Sequence, residues 1–251
     1  EWIDKDEYPF SSHYLRLNPG RMHYVDEGEG LPVVMLHGNP TWSFLYRKLI
    51  KSLAPAYRCI APDHLGFGLS HKPSDWPYRP EAHARNLSRL IDHLGLNDIC
   101  LVVQDWGGPI GLSYAIQNAE SVRALIILNT WMWPVSPGSR FGLFSKGMET
   151  QIGKFLANRM NIMVRGVMPL WFADPRRLTP SLLRHYLRPL DKPEKRKGTW
   201  IFPREILGSG KWLQSLWEER GRLKQIPKLV VWGMRDIAFG RDELKIWKRT
   251  F

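Results

Sequence analysis

Asp105 is the residue whose setting most invites chemistry. It stands in Val102-Val103-Gln104-Asp105-Trp106-Gly107-Gly108, between an apolar run and a helical pattern. A tight turn between strand and helix, flanked by small residues, is where hydrolases of the α/β class hold a nucleophile. Here the central residue is a carboxylate, which suits displacement at a tetrahedral carbon and would leave an ester on Asp105. Clearing such an ester needs a water activated by a general base, usually a histidine oriented by an acid. A plainer reading also fits: an aspartate that caps the following helix. Taken alone, Asp105 does not decide between the two.

A second constellation is His37-Gly38-Asn39-Pro40-Thr41-Trp42, directly after the apolar run Val33–Leu36. Asn39 carries an amide NH₂ and Trp106 an indole N–H with no acceptor. Two neutral donors converging in an apolar pocket can hold a departing anion without burying a cation. As bland alternatives, Asn39 is a turn residue before proline and Trp106 is core.

These residues need elements to position them. Apolar, β-branched runs at Val33–Leu36, Arg58–Ala61, Ile99–Val103 and Leu125–Leu128 alternate with helical patterns at Ser43–Leu53, Ala84–Leu94 and Gly107–Gln117. That rhythm predicts an α/β fold, a mostly parallel sheet covered by helices on both faces. RMHYVDEG alternates and reads as an antiparallel edge strand before it. After Leu128 the rhythm breaks. Residues 134–226 hold helical patches (Thr179–Tyr186, Lys211–Arg220) and no convincing strand; Lys228–Trp232 then returns as a buried strand. The expected organisation is a core over 1–133, a helical insertion over 134–226 and a second part of the core over 227–251. Ligands of open parallel sheets bind beyond the carboxyl ends of the strands. The residues there are HGNPTW, PDHLGFGLS, QDWGG, NTWMWP and GMRDIAFG.

Composition narrows the class. With 43% hydrophobic and 24% charged residues, disorder, collagen-like repeats and disulfide scaffolds are excluded. No apolar run reaches the length of a membrane-spanning helix. The start, EWIDKDEYPF, shows no secretory signal, so the expected location is cytoplasmic. Cys59 and Cys100 fall in strands and read as small core residues. The formal charge of +12 is uneven: residues 134–225 hold 18 Lys and Arg against 7 Asp and Glu. The densest stretch, DKPEKRKG, is short and mixed in sign, which favours a solvated loop over a nucleic-acid surface.

HGNPTW, PDHLGFGLSHKP and QDWGGPIG strongly resemble the haloalkane dehalogenases of the α/β-hydrolase superfamily, and the likeness runs from about Ile3 to Phe251. It implies an α/β-hydrolase fold with the insertion as a cap before the penultimate strand. Asp105 would be the nucleophile and the Asn39 and Trp106 side chains the halide-binding pair, with the backbone N–H groups of the same two residues as oxyanion hole. Substrate, co-substrate and product would be a small haloalkane, water and halide, with no cofactor, metal or nucleic acid. The family places its acid either after the strand preceding the cap or after the strand following it. The first position reads Leu128-Asn129-Thr130, without a carboxylate, and the second reads Trp232-Gly233-Met234-Arg235-Asp236. Asp236 is therefore the candidate acid, as in the subgroup called subfamily III, although a loop or helix-cap role would also suit it.

The resemblance further implies a general-base histidine one strand beyond Asp236. The last of the eight histidines is His185, so that base is not among residues 1–251. The final strand, histidine loop and helix are missing from this stretch: either the protein continues past Phe251, which the absent initiator Met favours, or the gene is truncated and its product impaired. His37 and His64 are near the site by position but are structural by resemblance. Trp131, Trp133, Phe141 and Phe144 read equally as pocket lining or cap core. Three alternatives stand beside this one. An epoxide hydrolase of the same fold typically needs two cap tyrosines, whereas Tyr186 stands alone, and a luciferase-like oxygenase of this fold fits less well. A binding protein without turnover is the reading from another class.

Overall fold

The computed structural model describes residues 2–251. Among them, seven strands form one sheet: β1 (His13–Leu17), β2 (Gly20–Glu27), β3 (Pro32–Leu36), β4 (Arg58–Pro62), β5 (Ile99–Val103), β6 (Val122–Leu128) and β7 (Lys228–Val231). Their order is β1-β2-β4-β3-β5-β6-β7. β1 and β2 run antiparallel, as does the β2–β4 pair, and all other neighbours are parallel. This is the expected α/β-hydrolase sheet. RMHYVDEG lies one strand inside the edge, because β1 pairs outside it.

α1 (Arg47–Leu53), α2 (Pro80–His93) and α3 (Gly107–Gln117) connect the parallel strands of the first half. Between β6 and β7 the chain is helical: α4 (Arg140–Glu149), α5 (Gln151–Asn158), α6 (Pro180–Leu187), α7 (Lys197–Gly208) and α8 (Gly210–Glu219), joined by short 3-10 and π turns. α9 (Arg241–Thr250) follows β7. The inner strands are fully apolar because both faces are covered: Val34, Met35, Leu36, Leu101 and Val103 are buried. β7 is less covered. Leu229 is 58% and Val231 51% exposed there, so this strand departs from the expected buried run.

Register places the site. Leu36 pairs with Val103, Val103 with Ile127 and Leu128 with Val231, so His37, Gln104, Asn129 and Trp232 leave the sheet at one rim.

Three local expectations need correction. Helix α2 begins at Pro80 rather than Ala84, because proline without an N–H suits the first helical turn. The 43–53 pattern splits into a 3-10 turn, Ser43–Tyr46, and α1. DKPEKRKG is not a solvated loop. It is a 3-10 turn, Pro193–Arg196, running into α7. Arg196 is buried there and donates to the carbonyls of Leu190, Asn158, Arg159 and Asp191. Cys59 is buried as expected, while Cys100 is only partly so.

Candidate active site

Asp105 sits at the turn from β5 to α3 with φ +50°, a left-handed conformation that few non-glycine residues adopt. The surroundings hold it there. Its N–H donates to Asn129 O (2.9 Å), and its carbonyl accepts from Thr130 Oγ1 (2.6 Å). The turn also demands small neighbours. A Cβ on Gly38 would collide with the Asp105 carboxylate, one on Gly107 with Leu36 O, and one on Gly108 with Thr130 Oγ1. The glycines therefore let the turn that carries Asp105 press against β3 and the loop after β6.

Asn39 N donates to Asp105 Oδ1 at 2.8 Å. Burial pushes the Asp105 carboxyl up to about 6, against the lowering effect of the Asn39 and Trp106 backbone N–H groups. Oδ1 is thus held by the Asn39 N–H, one of the two amides expected to form the oxyanion hole.

Asn39 and Trp106 are buried and meet Asp105 at the wall of one cavity of about 330 Å³. Asn39 Nδ2 makes a single long contact to Thr199 O (3.4 Å), and its Oδ1 has no partner. Among the described residues no acceptor is bonded to the Trp106 indole N–H, and its ring lines the cavity. Trp131, Trp133, Phe141 and Phe144 all line it too, so the pocket reading of these aromatics holds. Trp131 packs edge-on against Trp106 with ring centroids 4.7 Å apart, and α7 contributes Pro203 and Ile206. Most of the lining is apolar or aromatic; Ser136, Ser139, Arg140 and Glu243 are polar lining residues in addition to Asn39 and Asp105.

Asp236 lies in the loop after β7, part-buried, with Oδ1 accepting from Ala238 N (2.7 Å) and Phe239 N (3.1 Å). Burial raises its carboxyl above the ordinary range, and those two N–H groups oppose the shift. The loop is pinned from two sides that the sequence did not reveal. Asn129 donates to Gly233 O (3.0 Å) and Phe239 O (3.2 Å) and accepts from Gly233 N (2.7 Å). Arg140, at the start of α4, donates to Ile237 O (2.8 Å), Ala238 O (2.6 Å) and Glu243 (3.0 Å). For Asn129, its place at a strand end was the available signal.

His37 and His64 are spent structurally. His37 Nε2 accepts from His64 N (2.9 Å), so its proton sits on Nδ1 and goes to Gly38 O (2.8 Å). His64 Nε2 donates to His37 O (3.0 Å). Burial lowers both imidazoles, and neither lines the cavity. Among the described residues no cluster of His, Cys, Asp and Glu is arranged to hold a metal.

Residues 32–251 match the family model described as alpha/beta hydrolase fold. The chain is 39% identical to haloalkane dehalogenase 2 of Mycobacterium tuberculosis over 237 residues, covering 94% of this chain and 82% of the relative. The chain belongs to the haloalkane dehalogenase family of α/β hydrolases. Its fold superposes on the crystal structure of the haloalkane dehalogenase DatA from Agrobacterium tumefaciens with a TM-score of 0.86, at 27% identity, over 99% of this chain and 88% of that one. A cis-3-alkyl-4-alkyloxetan-2-one decarboxylase of Xanthomonas campestris is 35% identical, with 97% of this chain and 86% of the relative covered.

Proposed function

We propose that this chain hydrolyses haloalkanes to an alcohol and halide through an ester on Asp105. The observation that carries the reading is the shared apolar cavity: Asp105, Asn39 and Trp106 meet there, with aromatic walls suited to an alkyl chain. The free carboxylate oxygen attacks the carbon, the carbon–halogen bond breaks, and the leaving halide takes hydrogen bonds from Asn39 Nδ2 and Trp106 Nε1. Oδ1, already held by the Asn39 backbone N–H, is the oxygen that becomes the oxyanion when water attacks the ester, with the Trp106 N–H as the second donor. Asp236 is the acid that would orient a base histidine. The partners are a small haloalkane, water and halide.

In this reading residues 134–226 form the cap over a core of 1–133 and 227–251, and the protein works in the cytoplasm. Among the described residues no helix is long and apolar enough to cross a membrane. The decisive test is intact-mass spectrometry after exposure to 1-iodobutane. A butyl adduct on the chain, absent from Asp105→Asn, supports the assignment; an adduct that survives the substitution refutes it. A second reading follows from the oxetanone decarboxylase relative, whose substrate also carries alkyl chains. Offering the same protein a cis-3,4-dialkyl-oxetan-2-one separates the two.

A further inference from the structure

α5 turns its smallest residues inward. Gly153 and Ala157 are buried, and a Cβ on Gly153 would collide with the backbone of Gly147 and Met148 at the end of α4. Two helices packed this closely leave no inner room for large side chains. Ile152 is accordingly 72% exposed, Phe155 56% and, just past the helix, Met160 54%. Ile152, Phe155 and Leu156 are three and four residues apart, so they share one outward face. α4 adds Leu143, 59% exposed. Apolar residues clustered on a surface mark an interaction site, whereas scattered ones need no explanation.

The charges around this face have one dominant sign. Lys146 on α4, Lys154 on α5 and Arg159 just past it are exposed, and Glu149 is the single acid over residues 141–159. Glu194 and Pro193, from the turn before α7, border a shallow groove beside Lys154, Phe155 and Arg159. Lys154 Nζ lies 5.0 Å from the Trp200 ring centroid, which directs its ammonium along the surface. Aliphatic and aromatic side chains beside exposed lysine and arginine match the layered chemistry of a bilayer interface, with phosphates outside and acyl chains beneath.

We infer that the outer face of α4 and α5 docks this protein on an anionic lipid surface. The same α4 carries Phe141 and Phe144 into the cavity, so docking would set one helix between lipid and pocket. Apolar substrates partition into lipid, and the arrangement would present them near the site.

Co-sedimentation with phosphatidylglycerol–phosphatidylcholine vesicles tests this, with pure phosphatidylcholine as comparison. Binding is expected to the anionic vesicles only, falling as salt rises. Ile152→Glu with Phe155→Glu should weaken it about tenfold or more, since the inserted residues are replaced by repelled ones. Lys154→Gln with Arg159→Gln should weaken it and flatten the salt dependence. Circular dichroism and the butyl adduct should be unchanged, because these positions are exposed and outside the site. Leu229→Lys with Val231→Lys removes the other exposed apolar strip and should leave binding intact. Equal binding to neutral vesicles, binding indifferent to the α5 substitutions, or binding lost with the β7 substitutions overturns the inference. So does sedimentation velocity showing that the α5 face pairs two copies of the chain while vesicles bind nothing.

Discussion

Asp105 is poised by burial rather than by a neighbouring charge, and this has two measurable consequences. With the carboxyl near 6, the rate of the first, halide-releasing turnover should rise with pH through about 6 and level off above 7, as the nucleophile ionises. The native state also binds this proton more tightly than the unfolded chain, whose aspartates sit near 3.9, so ionised Asp105 destabilises the fold at neutral pH. Roughly two pH units correspond to about 3 kcal/mol, a penalty that disappears as pH falls from 6 towards 4. Asp105→Asn should therefore abolish halide release and, at pH 7.5, unfold at a higher denaturant concentration than the parent. That advantage should vanish near pH 4. Asn39→Ala and Trp106→Leu should each slow the single-turnover alkylation by about 3 kcal/mol, on the order of a hundredfold, if their donors receive the halide. Stopped-flow halide detection reads this directly. These residues were legible because each directly follows a strand, where a parallel sheet presents its ligands. Arg140 was not, because its bonds reach carbonyls 97 and 98 residues away in sequence and depend on the fold.

At the level of elements, the site depends on close approach. The backbone of Gly107 lies against the end of β3, where a Cβ would meet Leu36 O, a fixed atom of the central sheet. Gly107→Ala should cost at least about 2 kcal/mol of stability, read from urea midpoints, because neither strand nor helix can move aside. Arg140→Gln should loosen the loop that carries Asp236, seen as faster amide exchange at Ala238 and Phe239, while alkylation of Asp105 continues. Strand positions were readable from the sequence because buried parallel strands are unbroken apolar runs. Helix starts were less so. The first turn of α2, Pro80-Glu81-Ala82-His83, lacks an apolar repeat of its own, and DKPEKRKG hides a buried arginine in a run that looks solvated.

Across the whole molecule, the two half-reactions separate. Residues 1–251 contain the proposed nucleophile and both proposed donors, and among the described residues both His37 ring nitrogens and the Nε2 of His64 are bonded within the fold, with neither ring lining the cavity. A polypeptide of these residues should release about one halide per chain and retain the alkyl group on Asp105. Repeated turnover, measured as halide per protein, would require another base and would overturn the assignment. The fold class was legible because alternation of element types is a property of the whole chain. The concentration of positive charge over residues 134–225 was legible too, but its arrangement was not: only packing shows that small residues turn α5's apolar side outward.

Asn129 links the proposed acid, Asp236, to the alternative acid position expected from the family resemblance. It occupies that alternative position, at the end of β6, and there its NH₂ group clasps Gly233 O and Phe239 O on either side of Asp236. A carboxylate at 129 has no hydrogen to offer either carbonyl. Moving the acid from one strand end to the other is thus not a single exchange of side chains. The route passes through a protein whose second acid has lost its clasp before the first has gained a partner. Lineages using each position would be separated by a valley at least two substitutions wide.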